Sequence, residues 1–227
     1  MEKLANGVSG SIQPIILYSH TRGPNPWKVT LVLEELGLPY ETKYLEFPEA
    51  KVEPYLSLNP NGKLPTIQDP NQNVVLFESG AIIEYLVEQY DKDSKLSHSS
   101  VQERFLARSW LHLHASSPGP ACGYKVWMGR LYKADQIGAA NEYLGNEIKR
   151  VLGVINNHLA KTGGPYLLGS KCSYADLVFV PHYSMLTVFL PDYDPASEFP
   201  HFASWLGTLK ERPVVKKVLA ARAAASS

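Results

Sequence analysis

Apolar and polar positions follow two rhythms along this chain. Up to Tyr90, short apolar runs are set off by turn residues, and from about Val101 onward the spacing is helical. Ile15 to Tyr18 reads as a short buried strand that breaks at Ser19-His20-Thr21-Arg22-Gly23. Val29, Leu31, Val32, Leu33 and Leu36 predict a helix that ends at Gly37, with Pro39 just beyond. Tyr40 to Leu45 predicts the second strand. A strand-helix-strand connection of this kind predicts a right-handed crossover between parallel strands, in a sheet covered by helices. Thr66 to Ile67 and Val74 to Phe77 flank the turn cluster Asp69-Pro70-Asn71-Gln72-Asn73, so they predict an antiparallel hairpin. Ile82, Ile83, Leu86, Val87 and Tyr90 then follow at helical spacing.

A polar stretch, residues 91–100, separates this part from a second half with no strand hairpin. From Val101 to Ala220 the pattern predicts helices only, with breaks at Ser117-Pro118-Gly119-Pro120, Thr162-Gly163-Gly164-Pro165 and Pro191 to Pro200. Ser173 and Asp176, three apart before Leu177-Val178-Phe179-Val180, predict a capping box with Asp in the place of Glu or Gln. The expected organisation is a leader over 1–13, an α/β domain over 14–91, a linker over 92–100 and an all-helical domain over 101–227. Loss of the cap at Ser173 should cost about 1 kcal/mol.

Composition narrows the function more than the fold. The 227 residues, 44% hydrophobic, suffice for one large or two modest cores. Twenty-two Lys and Arg balance twenty-two Asp and Glu, so no net charge grips nucleic acid or an anionic membrane. Small molecules are the expected partners. The apolar runs are shorter than a membrane span and MEKLANGVSGSIQ lacks the apolar core of a signal peptide, which makes the cytoplasm the expected location. Cys122 and Cys172 are the two cysteines, in keeping with a reducing compartment and without a disulfide framework.

The chemistry-bearing segment runs from Asn59 to Leu86. Ser79 stands where the chain turns helical, a natural cap whose neighbouring free N–H groups suit a carboxylate. Opposite it, a cis Leu64-Pro65 bond would leave the Leu64 N–H and carbonyl to pair with an extended peptide. A ligand with a carboxylate at one end and a peptide backbone in the middle fits that order. Upstream, Asn25 before Pro26 reads as the cap of the first long helix.

The segments SHTRGPNPWKVTLVLEELGLPY, YLSLNPNGKLPTI and FESGAIIEYL resemble the glutathione transferase family, over about Ile15 to Ala220. Within it they look most like the fungal and bacterial branch that includes the yeast nitrogen-catabolite prion regulator and the nu-class enzymes. The resemblance implies a thioredoxin-like N-terminal domain that binds glutathione, an all-helical C-terminal domain that contributes the pocket for a small hydrophobic electrophile, and a homodimer. It implies that Glu78 and Ser79 receive the γ-glutamyl end, that Leu64 pairs with the cysteinyl backbone, and that Lys63, with Lys51 as a second cation, meets the glycyl carboxylate. Trp27 is the aromatic side chain expected near the sulfur, and Tyr124 and Trp127 are candidates for the wall of the electrophile pocket, with core packing the favoured alternative for either of these two.

Sulfur activation has two candidates. The resemblance places Asn25 near the glutathione sulfur, where an amide donor and the positive end of a helix would favour the thiolate. A free thiol of pKa about 8.5 is only a few per cent ionised at neutral pH, so such a preference accelerates attack. Tyr18, at the end of the first strand, is the alternative donor, as in the mammalian classes. No cysteine precedes residue 100, which excludes a protein thiolate at this place. Three outcomes stay open: conjugation, glutathione-dependent cis/trans isomerisation of an activated alkene in secondary metabolism, and a glutathione-binding regulator with little turnover.

Overall fold

The computed structural model describes residues 12–226. All but the last two residues of the expected leader lie outside them. The first half is built as β1 (Ile15–Ser19), α1 (Pro24–Leu36), β2 (Tyr40–Tyr44), β3 (Thr66–Asp69), β4 (Val74–Phe77) and α2 (Ser79–Tyr90). The four strands form one mixed sheet in the order β2-β1-β3-β4, with β1 and β2 parallel and the pairs β1–β3 and β3–β4 antiparallel. This is the thioredoxin-like arrangement expected. Gly37 ends α1 with φ 66°, a left-handed position that costs glycine nothing, and its N–H returns to the carbonyls of Leu33 and Glu34. Two 3-10 turns, Glu49–Lys51 and Tyr55–Ser57, fill the connection from β2 to β3.

The second half is helical: α3 (Val101–Ser116), α4 (Pro118–Leu131), α5 (Ala134–Thr162), the single turns α6 (Tyr174–Leu177), α7 (Val180–Tyr183), α8 (Leu186–Phe189) and α9 (Pro195–Glu198), then α10 (Pro200–Glu211) and α11 (Pro213–Ser226). The breaks fall at Ser117, Gly163 and around Pro191 as the pattern indicates, with further ones that include Tyr132-Lys133 and Arg212. Ser100 caps α3 by accepting from the Glu103 N–H at 3.2 Å. The linker is tied down by Asp91, whose carboxylate accepts from the N–H groups of Lys95, Leu96 and Ser97 at 2.6, 2.9 and 2.8 Å.

Asp176 is fully buried and does more than cap. Its carboxylate accepts from the Ser173 N–H at 3.0 Å and hydroxyl at 3.2 Å, from the Leu167 N–H at 2.8 Å, and from the Trp205 indole at 2.9 Å. One buried acceptor thus joins α6, the loop before it and α10, which agrees with a structural role.

α1 lies between the halves. It packs on α2 on one side and on α6, α7 and α11 on the other, so every residue from Pro26 to Leu33 is buried. Glu35, on the same helix, is buried against Arg212 at 2.7 Å, and Glu34 meets Lys217 at 2.7 Å. A helix so enclosed holds its amino end in a set position relative to both halves.

Candidate functional site

Strand register collects the site. Tyr18 pairs with Thr66, and Thr66 pairs with Phe77. The residues just outside these pairs are therefore neighbours at one end of the sheet: the Ser19-to-Gly23 loop before α1, Leu64-Pro65 before β3, and Glu78-Ser79 after β4. The Leu64-Pro65 bond is cis, as expected, and Glu53-Pro54 is a second cis bond. Among the described residues no hydrogen bond engages the Leu64 N–H or carbonyl.

The loop that presents Leu64 is held from beneath. Tyr55 donates its hydroxyl to the Lys63 carbonyl at 2.7 Å and also meets the Thr66 hydroxyl at 2.7 Å. Asn59 donates to the same Lys63 carbonyl at 2.6 Å. With its carbonyl tied down, Lys63 extends its exposed side chain into solvent, and Lys51 packs its stem on the Gly62 turn, so both cations border one loop. Tyr55 and Asn59 were not read as site residues. Their hydroxyl and amide act on the Lys63 carbonyl eight and four residues away, for which no local motif exists.

Both helix starts come earlier than expected, α2 by one residue and α1 by two. α2 has Glu78 at its cap position with φ 68° and Ser79 as its first helical residue, and Ser79 makes no side-chain cap bond. A left-handed glutamate is uncommon and stores strain of a kind that gathers at binding sites. Asn61 steadies it by donating to the Glu78 carboxylate at 3.1 Å. α1 has Gly23 at its cap position and starts at Pro24, so Asn25 is the second helical residue, exposed, and makes no cap bond. Two prolines at Pro24 and Pro26 extend the start, because the N–H each lacks has no helical acceptor there anyway. The Asn25 amide stands beside the free N–H end of the helix.

Other expectations are revised. Tyr18 donates its hydroxyl to Gln68 at 2.8 Å and packs edge-on against Tyr55, which commits it to the sheet. Trp27 is 3% exposed in the core, and its indole donates to the Thr21 carbonyl at 2.9 Å. It faces away from Asn25, because two residues along a helix rotate a side chain by about 200°. His20 is buried. Its Nδ1 accepts from the N–H groups of Arg22 and Gly23 at 3.0 and 3.3 Å, and its ring stacks on Phe47 at 3.9 Å. Burial holds its pKa below the usual histidine value, so the neutral ring that accepts these bonds is the favoured form. The turn before α1 is thus fixed by His20 from inside, by Trp27 from the helix, and by Arg222 of α11, which donates to the Arg22 carbonyl at 2.7 Å.

Lys28 was missed altogether. One turn after Asn25, it is 4% exposed, with Nζ 3.5 Å from the Ser79 hydroxyl and 3.1 Å from His114 Nδ1 on α3. Burial brings its pKa down to about 7, against the opposing fields of Glu78 and Cys122. Cys122 and Cys172 are both free and buried. Among the described residues no group of three or more His, Cys, Asp or Glu is arranged to hold a metal.

Comparison with known proteins speaks to the same geometry. Residues 13–88 match the model of the glutathione S-transferase N-terminal domain, and residues 124–222 match that of the glutathione S-transferase C-terminal domain. A glutathione S-transferase-like protein, OpS6 of Beauveria bassiana, is 73% identical over 94% of this chain and 98% of its own length. The chain belongs to the glutathione S-transferase family. A second transferase-like relative, gedE of Aspergillus terreus, is 42% identical over 88% of this chain and 92% of its own. Among solved structures, the glutathione transferase URE2P6 of Phanerochaete chrysosporium, crystallised with oxidized glutathione, superposes with a TM-score of 0.87 at 40% identity. It covers 94% of this chain and 98% of its own. Ure2p in complex with glutathione superposes at 0.84 with 30% identity, over 92% and 95%.

In this member of the glutathione S-transferase family, aromatic side chains from both halves meet beside the Ser19-to-Gly23 loop. Phe47, stacked on His20, meets Trp127 of α4 edge-on at 5.6 Å. Trp127 and Tyr124, one turn apart, are 46% and 62% exposed, unlike the interior aromatics of the helical half. Arg130 lies over the Trp127 ring at 5.7 Å.

Proposed function

We propose that this chain is a glutathione transferase that binds glutathione along the end of the sheet and presents its thiolate to a small hydrophobic electrophile. The carrying observation is that three polar sets lie at one sheet end: the Leu64 backbone, the Glu78-Ser79 start of α2, and Asn25 at the start of α1. In this reading Glu78 receives the γ-glutamyl ammonium and Ser79 with the α2 N–H groups receives its carboxylate. Leu64 pairs with the cysteinyl backbone as an added strand does. Lys63 and Lys51 face the glycyl carboxylate.

The sulfur then lies at the amino end of α1, where Asn25 donates to the thiolate. An amide takes no proton, so activation is electrostatic and the proton leaves to solvent. Each unit of pKa lowering is worth about 1.36 kcal/mol, and a charge-assisted hydrogen bond with a dipole contribution of ~0.3–1 kcal/mol suffices for one to two units. Tyr18 has no part in it, because its hydroxyl serves Gln68. Trp127, Tyr124 and Phe47 supply an apolar wall for the electrophile, whether the adduct is kept as a conjugate or released after bond rotation as an isomer. The reading includes a homodimer, supported by apolar surface at Val75 and Phe77 on edge strand β4 and at Phe105 and Leu106 on α3.

An ultraviolet titration of bound glutathione tests the core of this reading. Thiolate absorbance that develops well below pH 8.5, and shifts back up in Asn25→Ala while glutathione still binds, is the expected result. An unshifted thiol in the wild-type complex would point to a regulator without turnover. Product mass and double-bond geometry from a panel of activated alkenes and aryl halides separate conjugation from isomerisation.

A further inference from the structure

Lys28 is a buried cation without a buried anion. Its two polar neighbours, the Ser79 hydroxyl at 3.5 Å and His114 Nδ1 at 3.1 Å, are both uncharged groups. Burying an ammonium is costly unless a counter-charge and hydrogen bonds replace water. The nearest carboxylate, Glu78, is exposed, is held by Asn61, and forms no salt bridge with Lys28. The ammonium sits between His114 of α3 and the amino end of α2, where Ser79 and the unsatisfied N–H groups of the first turn converge.

We propose that Lys28 is the internal counter-ion for the carboxylate that binds at the start of α2, which in the reading above is the α-carboxylate of the γ-glutamyl end of glutathione. The proposal rests on that reading and adds to it a positioning residue on α1. Lys28 places a full charge behind Ser79, so the carboxylate is held by the hydroxyl and helix N–H groups in front and by the ammonium beyond them. The tie between the two reactive ends of the ligand is then direct. The γ-glutamyl carboxylate and the sulfur are both read by the first turn and a half of α1, through Lys28 and Asn25.

The surroundings set how this counter-ion responds to pH. Facing it are Glu78 and Ser79 of α2, His114 of α3, Cys122 of α4 and His182 of α7. Burial, with Lys28 adding to it, keeps His114 and His182 well below the ordinary histidine pKa, and Arg222 acts on His182 in the same sense. Burial pushes Cys122 up to about 12. Near neutrality the two histidines and the thiol are therefore uncharged. With its own pKa brought down to about 7 by burial, Lys28 is only partly protonated when no carboxylate is bound. A bound carboxylate favours the ammonium and raises that value, so binding takes up protons between the free and bound pKa values. Affinity is full below about pH 7 and declines as pH rises through that window. His114 accepts from Lys28 through Nδ1, which leaves its proton on Nε2, an atom with no partner among the described residues. The ring is kept in place by Gly119, where an added Cβ would lie 2.9 Å from the His114 carbonyl oxygen and 3.3 Å from its Cε1.

The test uses S-methylglutathione, which has no thiol to titrate, and calorimetry of the intact protein between about pH 6 and 8.5 in two buffers of different ionisation heat. The expected wild-type result is binding with net proton uptake near pH 7.5 and an affinity that falls several-fold toward pH 8.5. Lys28→Met should bind about tenfold more weakly at pH 6.5 and without proton uptake. Lys28→Arg, always charged, should bind without the pH dependence, which keeps the test decisive if the Met variant fails to fold. A second probe, the S-methyl peptide with γ-aminobutyrate in place of the γ-glutamyl residue, lacks the α-carboxylate and should lose affinity and proton uptake together. Wild-type binding that is flat with pH, or proton uptake that persists in Lys28→Arg or with the second probe, would overturn the counter-ion. Absence of any S-methylglutathione binding would instead overturn the glutathione reading beneath it.

Discussion

Arg222, in the last helix, donates through Nη2 to the carbonyl oxygen of Arg22 at 2.7 Å, across almost the entire chain. A second donor, Nη1, reaches the Pro181 carbonyl at 2.9 Å. The guanidinium is 7% exposed, and burial brings its pKa down to about 10. α11 therefore holds the turn from which α1 and Asn25 begin.

Replacing that guanidinium should act on chemistry before it acts on folding. Arg222→Met keeps most of the buried stem but leaves two carbonyls unpaired, at a cost of about 1–3 kcal/mol in stability. The loosened Arg22-Gly23 turn should raise the thiol pKa of bound glutathione and lower kcat/KM about tenfold, with glutathione KM little changed. Ultraviolet titration and steady-state kinetics, with thermal unfolding beside them, check this. Wild-type activity in a protein that merely melts lower would assign Arg222 to folding alone.

Gly62→Ala should weaken glutathione binding through backbone geometry. Gly62 has φ 58°, and a Cβ there would lie 2.8 Å from the Ala50 carbonyl and 3.2 Å from the Lys51 stem. A left-handed residue with a side chain costs roughly 1–2 kcal/mol before any collision is counted. The turn must shift, carrying Lys63 and Leu64 with it. The expected outcome is a several-fold loss of affinity for S-methylglutathione by calorimetry, and unchanged affinity would detach this turn from the site.

Asp69 predicts an acid-sensitive contribution to stability. It is 1% exposed and accepts from the hydroxyls of Tyr85, at 2.6 Å, and Tyr90, and from the Asn71 N–H at 2.9 Å. Burial works to raise its pKa, and these hydrogen bonds outweigh burial and hold it below the ordinary aspartate value. The folded pKa is thus depressed relative to the unfolded chain. The contribution is present above about pH 4 and is lost as pH falls through the folded value. Asp69→Asn should cost about 2 kcal/mol near neutral pH by urea denaturation. The gap between variant and wild type should close in acid, and a gap that persists at about pH 2 would contradict the assignment.

Glu35 and Arg212 join the halves with asymmetric consequences. Glu35 is 3% exposed and takes two hydrogen bonds from Arg212, at 2.7 and 3.1 Å, with Lys95 at 3.6 Å. Arg212→Met strands most of a buried carboxylate and should destabilise by about 3 kcal/mol. The double variant Glu35→Leu, Arg212→Met removes both charges and should recover most of that loss. A double-mutant cycle by denaturant unfolding measures it, and strictly additive losses would show that the pair does not interact.

Much of the fold was legible in the chain because its signals are local. The β1 run, the Gly37 stop, the Asp69-to-Asn73 turn and the Ser100-to-Ser116 periodicity each act through neighbours within a few residues, and each lies where the pattern puts it. The candidate site segment was legible for the same reason, since Leu64-Pro65 and Glu78-Ser79 flank a single hairpin. The helix starts differ by two residues at Asn25 and by one at Ser79. A cap is chosen by φ and ψ at the junction, and Gly23 and Glu78 adopt them there. Trp27 was misplaced because proximity in sequence to Asn25 says little about facing when each residue turns the helix by about 100°.

By itself the amino-acid order determined which segments become strands and helices, which half carries the sheet, and which residues border the candidate site at one sheet end. Those outcomes follow from periodicity and turn chemistry along neighbouring residues. Tertiary structure decided the electrostatics. Lys28 meets Ser79 and His114 across 51 and 86 positions, and Arg222 meets Arg22 across 200. Only when α1 is enclosed between the sheet and the helical half does an ordinary lysine lose its water, and only then does its charge depend on what lies at the start of α2.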